Sequence, residues 1–374
     1  MRGYGFDFAP TIDMEAIMQS ESGLAWVESG NPRKELTYMK DLLREHGEQM
    51  LHPIHTHVQD ADLLISGFVS ESFVQAVSEK YSIRQINAAL QPYLPTRSGA
   101  ASIAPLIARS QSVLNRWMGQ LAERILWSVA SETANNLRSK TLHLPIHTAA
   151  SYTRVKHQIP TIQGFSRYVV PPALDWDKNV FTTGYWFLNE KENWQPSSDI
   201  IGFLQAGEAP IYIGFGSMSS SRPEQTVEMI VAALAKTGQR GIISSGWSKS
   251  PPINLLGTIM MLDKAPHDWL FPRMAGVVHH GGAGTTAAGL WAGVPTVIIP
   301  HMSDQPYWGR RVYELGVGTK PIPRHKLTVD SLAHGIGTLV SDQKIKTEAA
   351  VLGEKIRAEK GVENAVEIIE SLMR

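Results

Sequence analysis

Short apolar runs alternate with helix-spaced apolar positions through the second half of the chain. Strand-like runs lie at 211–215, 241–245, 259–262, 275–279 and 295–300. Helical spacing occupies 223–236, 285–292 and 307–315. This alternation predicts a parallel sheet that is covered by helices on both faces.

The first half is less regular, but it carries the same two kinds of element. Buried strands are predicted at 61–66 and 86–90, with a helix at 71–80 between them. Residues 96–150 are predicted to be mostly helical, and β-like runs return at 161–187. This half therefore also has an α/β pattern.

The length of the chain indicates more than one domain. A chain of 374 residues exceeds what one hydrophobic core usually supports. We predict an N-terminal domain over 1–190, a linker over 191–205 and a C-terminal domain over 206–374, because Pro196 and its serine neighbours interrupt the pattern.

Composition excludes several classes of partner. Lys plus Arg number 35, as do Asp plus Glu, so there is no basic footprint for nucleic acid. The absence of cysteine excludes disulfides and thiolate metal sites. No apolar run reaches the length of a membrane span, and no signal peptide is evident, so we expect a cytoplasmic protein.

The glycine turn after the fourth of the five predicted strands is the main candidate for ligand binding. The turn runs from His280 to Thr285, where a helix is predicted to begin. A phosphate at a helix start meets free backbone N–H groups and the positive end of the helix dipole. Asp304 and Gln305 follow the next strand, and ligands of such sheets bind beyond the carboxyl ends of the strands. One crevice can therefore collect both groups.

With these motifs, the chain resembles the UDP-dependent glycosyltransferases of family 1, in the branch that contains sterol glucosyltransferases and bacterial antibiotic glycosyltransferases. The resemblance is carried by the segments 183–187, 211–218, 245–248, 265–270, 280–285, 293–295 and 304–306. It implies a GT-B fold, in which two Rossmann-like domains face each other across a cleft.

The resemblance also implies roles for particular residues in inverting transfer of a hexose from a UDP-sugar. His280 and the amides of the glycine turn would hold the diphosphate and stabilise it as the leaving group, while Asp304 and Gln305 would contact sugar hydroxyls. The full set of predicted UDP-sugar-binding residues is Gly216, Ser217, Trp247, Ala265, His280, Gly282, Ala283, Gly284, Thr285, Asp304 and Gln305. UDP-glucose is the expected donor, a sterol or polyketide is the expected type of acceptor, and no cofactor or metal is implied.

Two alternatives stay open at this point. Family members begin with a strand, a turn and a helix that carry the acidic or histidine base, and here this unit is missing before residue 5. The chain is therefore either an enzyme whose catalytic base is unassigned or an inactive nucleotide-sugar-binding fragment. The spacing of Gly282, Gly284 and Asp304 also imitates the dinucleotide fingerprint, which would indicate an NAD-dependent oxidoreductase.

Three further patterns have a plain interpretation and a functional one. The apolar stripe that includes Trp117 and Leu121 is interpreted as a helix packed on its own sheet, with contact to a lipophilic acceptor or a membrane surface as the alternative. Asp175 and Asp177 imitate a metal-binding carboxylate pair but lie far from the glycine turn. The histidines at 52, 55 and 57 are interpreted as a solvated helix-to-strand connection.

Overall fold

The structure is a computed structural model that describes residues 4–99, 111–216, 222–244 and 257–374. Its helices are, in chain order, α1 (Met14–Gln19), α2 (Glu21–Ser29), α3 (Pro32–His57), α4 (Glu71–Tyr81), α5 (Val113–Asn136), α6 (Ala149–Lys156), α7 (Ser198–Gln205), α8 (Pro223–Thr237), α9 (His267–Leu270), α10 (Ala283–Ala292), α11 (Gln305–Glu314), α12 (Val329–Ser341), α13 (Gln343–Arg357) and α14 (Gly361–Met373). Its strands are β1 (Leu63–Gly67), β2 (Arg84–Ala89), β3 (Thr161–Gln163), β4 (Val180–Thr182), β5 (Ile211–Gly214), β6 (Gly241–Ser244), β7 (Ile259–Leu262), β8 (Gly276–His279) and β9 (Thr296–Ile298).

The chain forms two compact units, and the first is built on a four-stranded parallel sheet. This unit comprises Met1–Ile17, Asn31–Gly164 and Pro172–Thr182, and its strand order is β1-β2-β3-β4. Leu64 of β1 and Phe73 of α4 lie in its hydrophobic core. Trp127 of α5 stacks on Tyr152 of α6 in the same core, with ring centroids 4.1 Å apart.

Helix α5 buries Glu123 beside Trp127 and Val129 of the core and leaves most of the predicted apolar stripe exposed. Glu123 is buried and its carboxylate lies 2.9 Å from the ammonium of Lys156, which is also buried. A buried carboxylate is costly unless it is paired, and this pairing fixes which side of α5 faces the core. The predicted stripe is consequently exposed rather than packed on the sheet, with Trp117 55% and Leu121 36% exposed. The plain interpretation of the stripe is therefore wrong.

The second unit is built on a five-stranded parallel sheet in the order β7-β6-β5-β8-β9. It comprises Met18–Gly30, Phe165–Pro171 and Thr183–Arg374. The chain starts at the central strand β5, moves outward to β7, and then returns to β8 on the other side of β5. This reversal makes the gap between β5 and β8 the topological switch point, where ligands of doubly wound sheets bind.

The predicted strands of the second half are present, with ends that differ by one or two residues. The predicted linker at 191–205 differs more, because α7 occupies most of it and Ile200 of this helix is buried in the second unit. Residues Met18–Gly30 and Phe165–Pro171 of the predicted N-terminal domain also belong to the second unit. Within the described residues, none of the helices has the length and apolarity needed to cross a membrane.

Candidate active site

The site begins where β5 and β8 end side by side. Gly214 pairs with His279 in parallel register, so the residues that follow each strand are brought together. Gly216 has a φ of +59°, and a Cβ at this position would lie 3.0 Å from Cε1 of His280. The sheet thus joins two residues that are 64 positions apart in the sequence (280 − 216 = 64).

The backbone of Gly282 packs against the same imidazole. A Cβ at Gly282 would lie 2.5 Å from Nε2 of His280, a distance that real Cβ atoms do not adopt. Glycine is required here by close approach of the ring to the backbone. Three predicted site residues, Gly216, His280 and Gly282, are therefore in direct contact in this structure.

Helix α10 begins two residues earlier than predicted, at Ala283 rather than at Thr285, with Gly282 as its N-cap. The first intrahelical hydrogen bond runs from the N–H of Thr286 to the carbonyl of Gly282. The amides of Ala283, Gly284 and Thr285 precede that bond, and they belong to the first turn, whose N–H groups have no intrahelical acceptor. The earlier start therefore places Ala283, Gly284 and Thr285 at the N-terminus of α10, which is the positive end of the helix dipole.

His280 is a neutral imidazole at physiological pH. Burial, together with the nearby His267, lowers the pKa of His280 to about 4. Its Nδ1 is buried and has no hydrogen-bond partner among the residues that the structure describes. A buried polar atom in this condition costs free energy until a ligand or water satisfies it.

His279 has a different role from its neighbour. It is fully buried, and its Nδ1 accepts a hydrogen bond of 2.9 Å from the N–H of Gly281. The bond supports the turn that leads into α10. The ring of His279 thus serves the fold, and it is nearly perpendicular to the ring of His280, at an interplanar angle of 85°.

Asp304 and Gln305 hold their own loop together. The Gln305 Oε1 accepts hydrogen bonds from the backbone N–H groups of His301, at 2.8 Å, and Met302, at 3.1 Å. The Asp304 carboxylate accepts a hydrogen bond of 2.7 Å from the indole N–H of Trp308, and burial raises its pKa. Sugar contact by this pair stays a prediction, and the side chains also have a structural task.

The structure gives little information on the other three predicted residues, Ala265, Ser217 and Trp247. Ala265 is half-buried and packs against the core that contains Tyr212 and Phe271. Ser217 and Trp247 lie outside the described residues. Contact of all three with UDP stays a prediction.

The two metal lookalikes have protein partners. Asp175 accepts hydrogen bonds from the hydroxyl of Thr96 and the N–H of Arg97. The three histidines lie in the last turns of α3 instead of in a connection, and the Nε2 of His55 is 2.9 Å from the hydroxyl of Tyr81. Over the described ranges, no group of three or more acidic or histidine side chains is arranged to hold a metal ion.

Two polar residues that the sequence analysis did not select also lie at this end of the sheet. Thr286 is buried, and its hydroxyl has no hydrogen-bond partner in the described part of the chain. His301 lies three residues beyond the end of β9, and its ring lies 5.7 Å from that of Phe215. The sequence offered a signal for each of them. Thr286 is a second hydroxyl residue in the first turn of a predicted helix, and His301 follows a predicted strand.

Acid is expected to destabilise the second unit through His280. Because the pKa of His280 is about 4 in the folded chain and about 6.5 when unfolded, the unfolded chain binds a proton that the folded chain rejects between these values. The contribution of His280 to the free energy of unfolding is fully present above pH 6.5. It is lost as the pH falls toward 4 and amounts to roughly 3 kcal/mol. The measurement is the free energy of unfolding by denaturant at several pH values.

The control for this prediction is a pair of variants. His280→Phe should reduce the acid slope, whereas His334→Gln, at an exposed position of α12, should leave it unchanged. Equal slopes in the parent chain and in His280→Phe would contradict the assignment.

Comparison with known proteins agrees with this geometry. Residues 228–372 match the family model described as the C-terminal domain of erythromycin biosynthesis protein CIII-like proteins. A sterol 3-beta-glucosyltransferase of Arabidopsis thaliana is 40% identical over 268 residues, which cover 70% of this chain and 41% of that protein. A sterol 3-beta-glucosyltransferase of Emericella nidulans is 33% identical over 385 residues, which cover 99% of this chain and 27% of that protein. The chain thus spans less than half the length of these relatives.

Solved structures support the fold. The glycotransferase of kitacinnamycin has a TM-score of 0.65 at 16% identity and covers 90% of this chain and 82% of its own. The glycosyltransferase VinC in complex with dTDP has a TM-score of 0.65 at 14% identity and covers 99% of this chain and 88% of its own. These proteins and the sterol relatives are all glycosyltransferases, so they give the oxidoreductase alternative no support. The chain belongs to the family 1 glycosyltransferases of the GT-B fold, in the branch of the sterol glucosyltransferases.

Proposed function

We propose that the second unit binds a UDP-sugar and that the chain transfers the hexose to the hydroxyl group of a sterol-like alcohol. The observation that carries the proposal is the position of His280, which lies between Gly216 and Gly282 at the switch point and beside the first turn of α10. Its Nδ1 is buried and has no partner in the part of the chain described, and we propose that this nitrogen carries the ring proton and donates it to the diphosphate in a hydrogen bond.

The same groups can stabilise the leaving group. In an inverting transfer, the acceptor hydroxyl gives its proton to a general base, which is unassigned in this chain, and its oxygen attacks the anomeric carbon from the face opposite the diphosphate. The bond to the diphosphate breaks, and negative charge grows on the departing oxygens. Amides of a first helical turn and a neutral imidazole are fixed dipoles that need little reorganisation as this charge develops. We therefore propose that the reaction requires no metal ion.

The sugar would be read by the loop before α11. Two backbone N–H groups hold the Oε1 of Gln305 and so fix the plane of its side-chain amide, and we propose that this amide contacts a sugar hydroxyl. The Asp304 carboxylate supplies an acceptor beside it. A polyhydroxyl ring such as glucose suits this combination of donor and acceptor.

We propose that the exposed stripe of α5 contacts the lipid phase that holds the acceptor. Its large apolar members are Val113, Leu114, Trp117, Leu121 and Ile125. Arg116 and Arg124 are basic side chains on the exposed part of this helix near the stripe, and Glu132 is exposed closer to the C-terminal end of the helix. An apolar face with an aromatic residue and a basic side chain suits the interface of an anionic bilayer.

His280→Ala is expected to weaken UDP binding by about tenfold or more, because a hydrogen bond to a charged phosphate is lost. Isothermal titration calorimetry with UDP would measure this effect. The matched control is His334→Ala, an exposed histidine of α12, which should bind UDP as the parent does. Equal UDP affinity in the parent and His280→Ala would remove His280 from the site. If UDP-glucose binds but no transfer to a sterol occurs, the chain acts as a nucleotide-sugar binder and the transferase proposal fails.

Gln305→Glu should separate sugar recognition from loop structure. Glutamate keeps an oxygen for the N–H groups of His301 and Met302 but lacks the amide donor. We expect it to retain UDP affinity while the affinity for UDP-glucose falls about tenfold. Gln305→Ala should in addition lower the thermal midpoint of unfolding. Equal losses for UDP and UDP-glucose in Gln305→Glu would contradict sugar contact by this residue.

The double variant Trp117→Ser, Leu121→Ser should reduce sedimentation with vesicles that contain phosphatidylserine, because two exposed apolar groups no longer enter the interface. Substitution of the exposed Ser128 on the same helix by alanine is the control and should leave sedimentation unchanged. Undiminished sedimentation of the double variant would exclude the stripe as the contact surface.

A further inference from the structure

A depression of about 860 Å³ lies in the second unit beside the loop that carries Gln305. Four prolines form part of its wall. The basic or imidazole side chains that line it are Arg222, His301, Arg324 and His325, and Glu28 is the acidic one. The lining does not include His280 or the first turn of α10, so the depression is distinct from the phosphate contacts described above.

Arg324 is held in a fixed orientation at this depression. It lies in a 3-10 turn, Arg324–Lys326, and its guanidinium donates a hydrogen bond to Nε2 of His301. Nδ1 of His301 in turn donates to the carbonyl of Ile299 at 2.9 Å, which leaves Nε2 as the acceptor. Burial and the nearby Arg324 lower the pKa of His301 to about 3, so the ring remains a neutral acceptor. The histidine therefore positions the arginine.

The guanidinium already contacts one carboxylate, and that carboxylate comes from another part of the chain. Glu28, in the last turn of α2, places its Oε1 3.4 Å from the second terminal nitrogen of Arg324. Both side chains are only partly buried, at 28% and 29% exposure, so this ion pair is not sealed from water. An exposed ion pair is weak and can exchange its partner. The planar fork of arginine suits carboxylate and phosphate equally.

We propose that this depression is an oxyanion site in which the carboxylate of Glu28 is an internal occupant. A phosphate or carboxylate group of a ligand would displace Glu28 from Arg324, with Arg222 and His325 as additional polar lining. The site is independent of the proposed transfer reaction, because none of its residues needs the nucleotide to be bound. It adjoins the predicted sugar loop through His301, whose N–H donates to Gln305.

The test uses the full chain in the His280→Ala background without nucleotide, so that binding at the proposed diphosphate contacts is weakened. The probes are inorganic phosphate, followed by ³¹P line broadening, and acetate, followed by ¹³C line broadening, both at pH 7.5. Arg324→Gln is expected to weaken binding of either probe by about tenfold. Glu28→Gln is expected to strengthen it by roughly threefold or more, because the competing charge is gone.

Matched controls change the same charges nearby. Lys326→Gln removes a positive charge from the same 3-10 turn, and Glu21→Gln removes a negative charge from the other end of α2. Both should bind the probes as the background does. An increase in affinity cannot arise from misfolding, so the Glu28 variant remains informative even if Arg324→Gln is unstable. If neither phosphate nor acetate shows binding that depends on Arg324, or if Glu28→Gln binds no more tightly than Glu21→Gln, the proposal is overturned.

Discussion

The contact of the His280 imidazole with two backbones, those of Gly216 and Gly282, is the constraint around which the second unit is arranged. The contact exists because β5 and β8 are parallel neighbours that end at the same edge of the sheet. A side chain at either glycine would occupy the space of the ring. The first turn of α10 then follows at once, with Gly282 as its N-cap.

Burial determines the electrostatic character of this end of the sheet. His279, His280 and His301 all have pKa values lowered mainly by desolvation, so the ring nitrogens act as neutral hydrogen-bonding groups. In the proposed function, these histidines would therefore attract a diphosphate as oriented dipoles and not as formal positive charges. The arrangement suits a reaction in which charge develops during the step, because fixed dipoles need not reorganise.

At the start of α11, the side chains proposed to contact the sugar also make structural hydrogen bonds. The side-chain oxygen of Gln305 accepts hydrogen bonds from two backbone N–H groups of the preceding loop. The Asp304 carboxylate accepts a hydrogen bond from the indole N–H of Trp308. Through His301, the loop also reaches Arg324 and Glu28. A change at one of these positions therefore affects its neighbours, and effects on binding have to be separated from effects on loop geometry.

The sequence by itself determined the α/β class, the five strands of the second unit with three of its helices, and the residues around the glycine turn. Those signals are local, because apolar periodicity and glycine clusters are read within a few positions. Only the tertiary structure decided which residues meet and which faces are buried. The exposed stripe of α5 follows from the buried pair of Glu123 and Lys156, and helix α2 belongs to the second unit although it lies near the start of the chain. Such outcomes depend on partners distant in sequence, whose contacts no local pattern encodes.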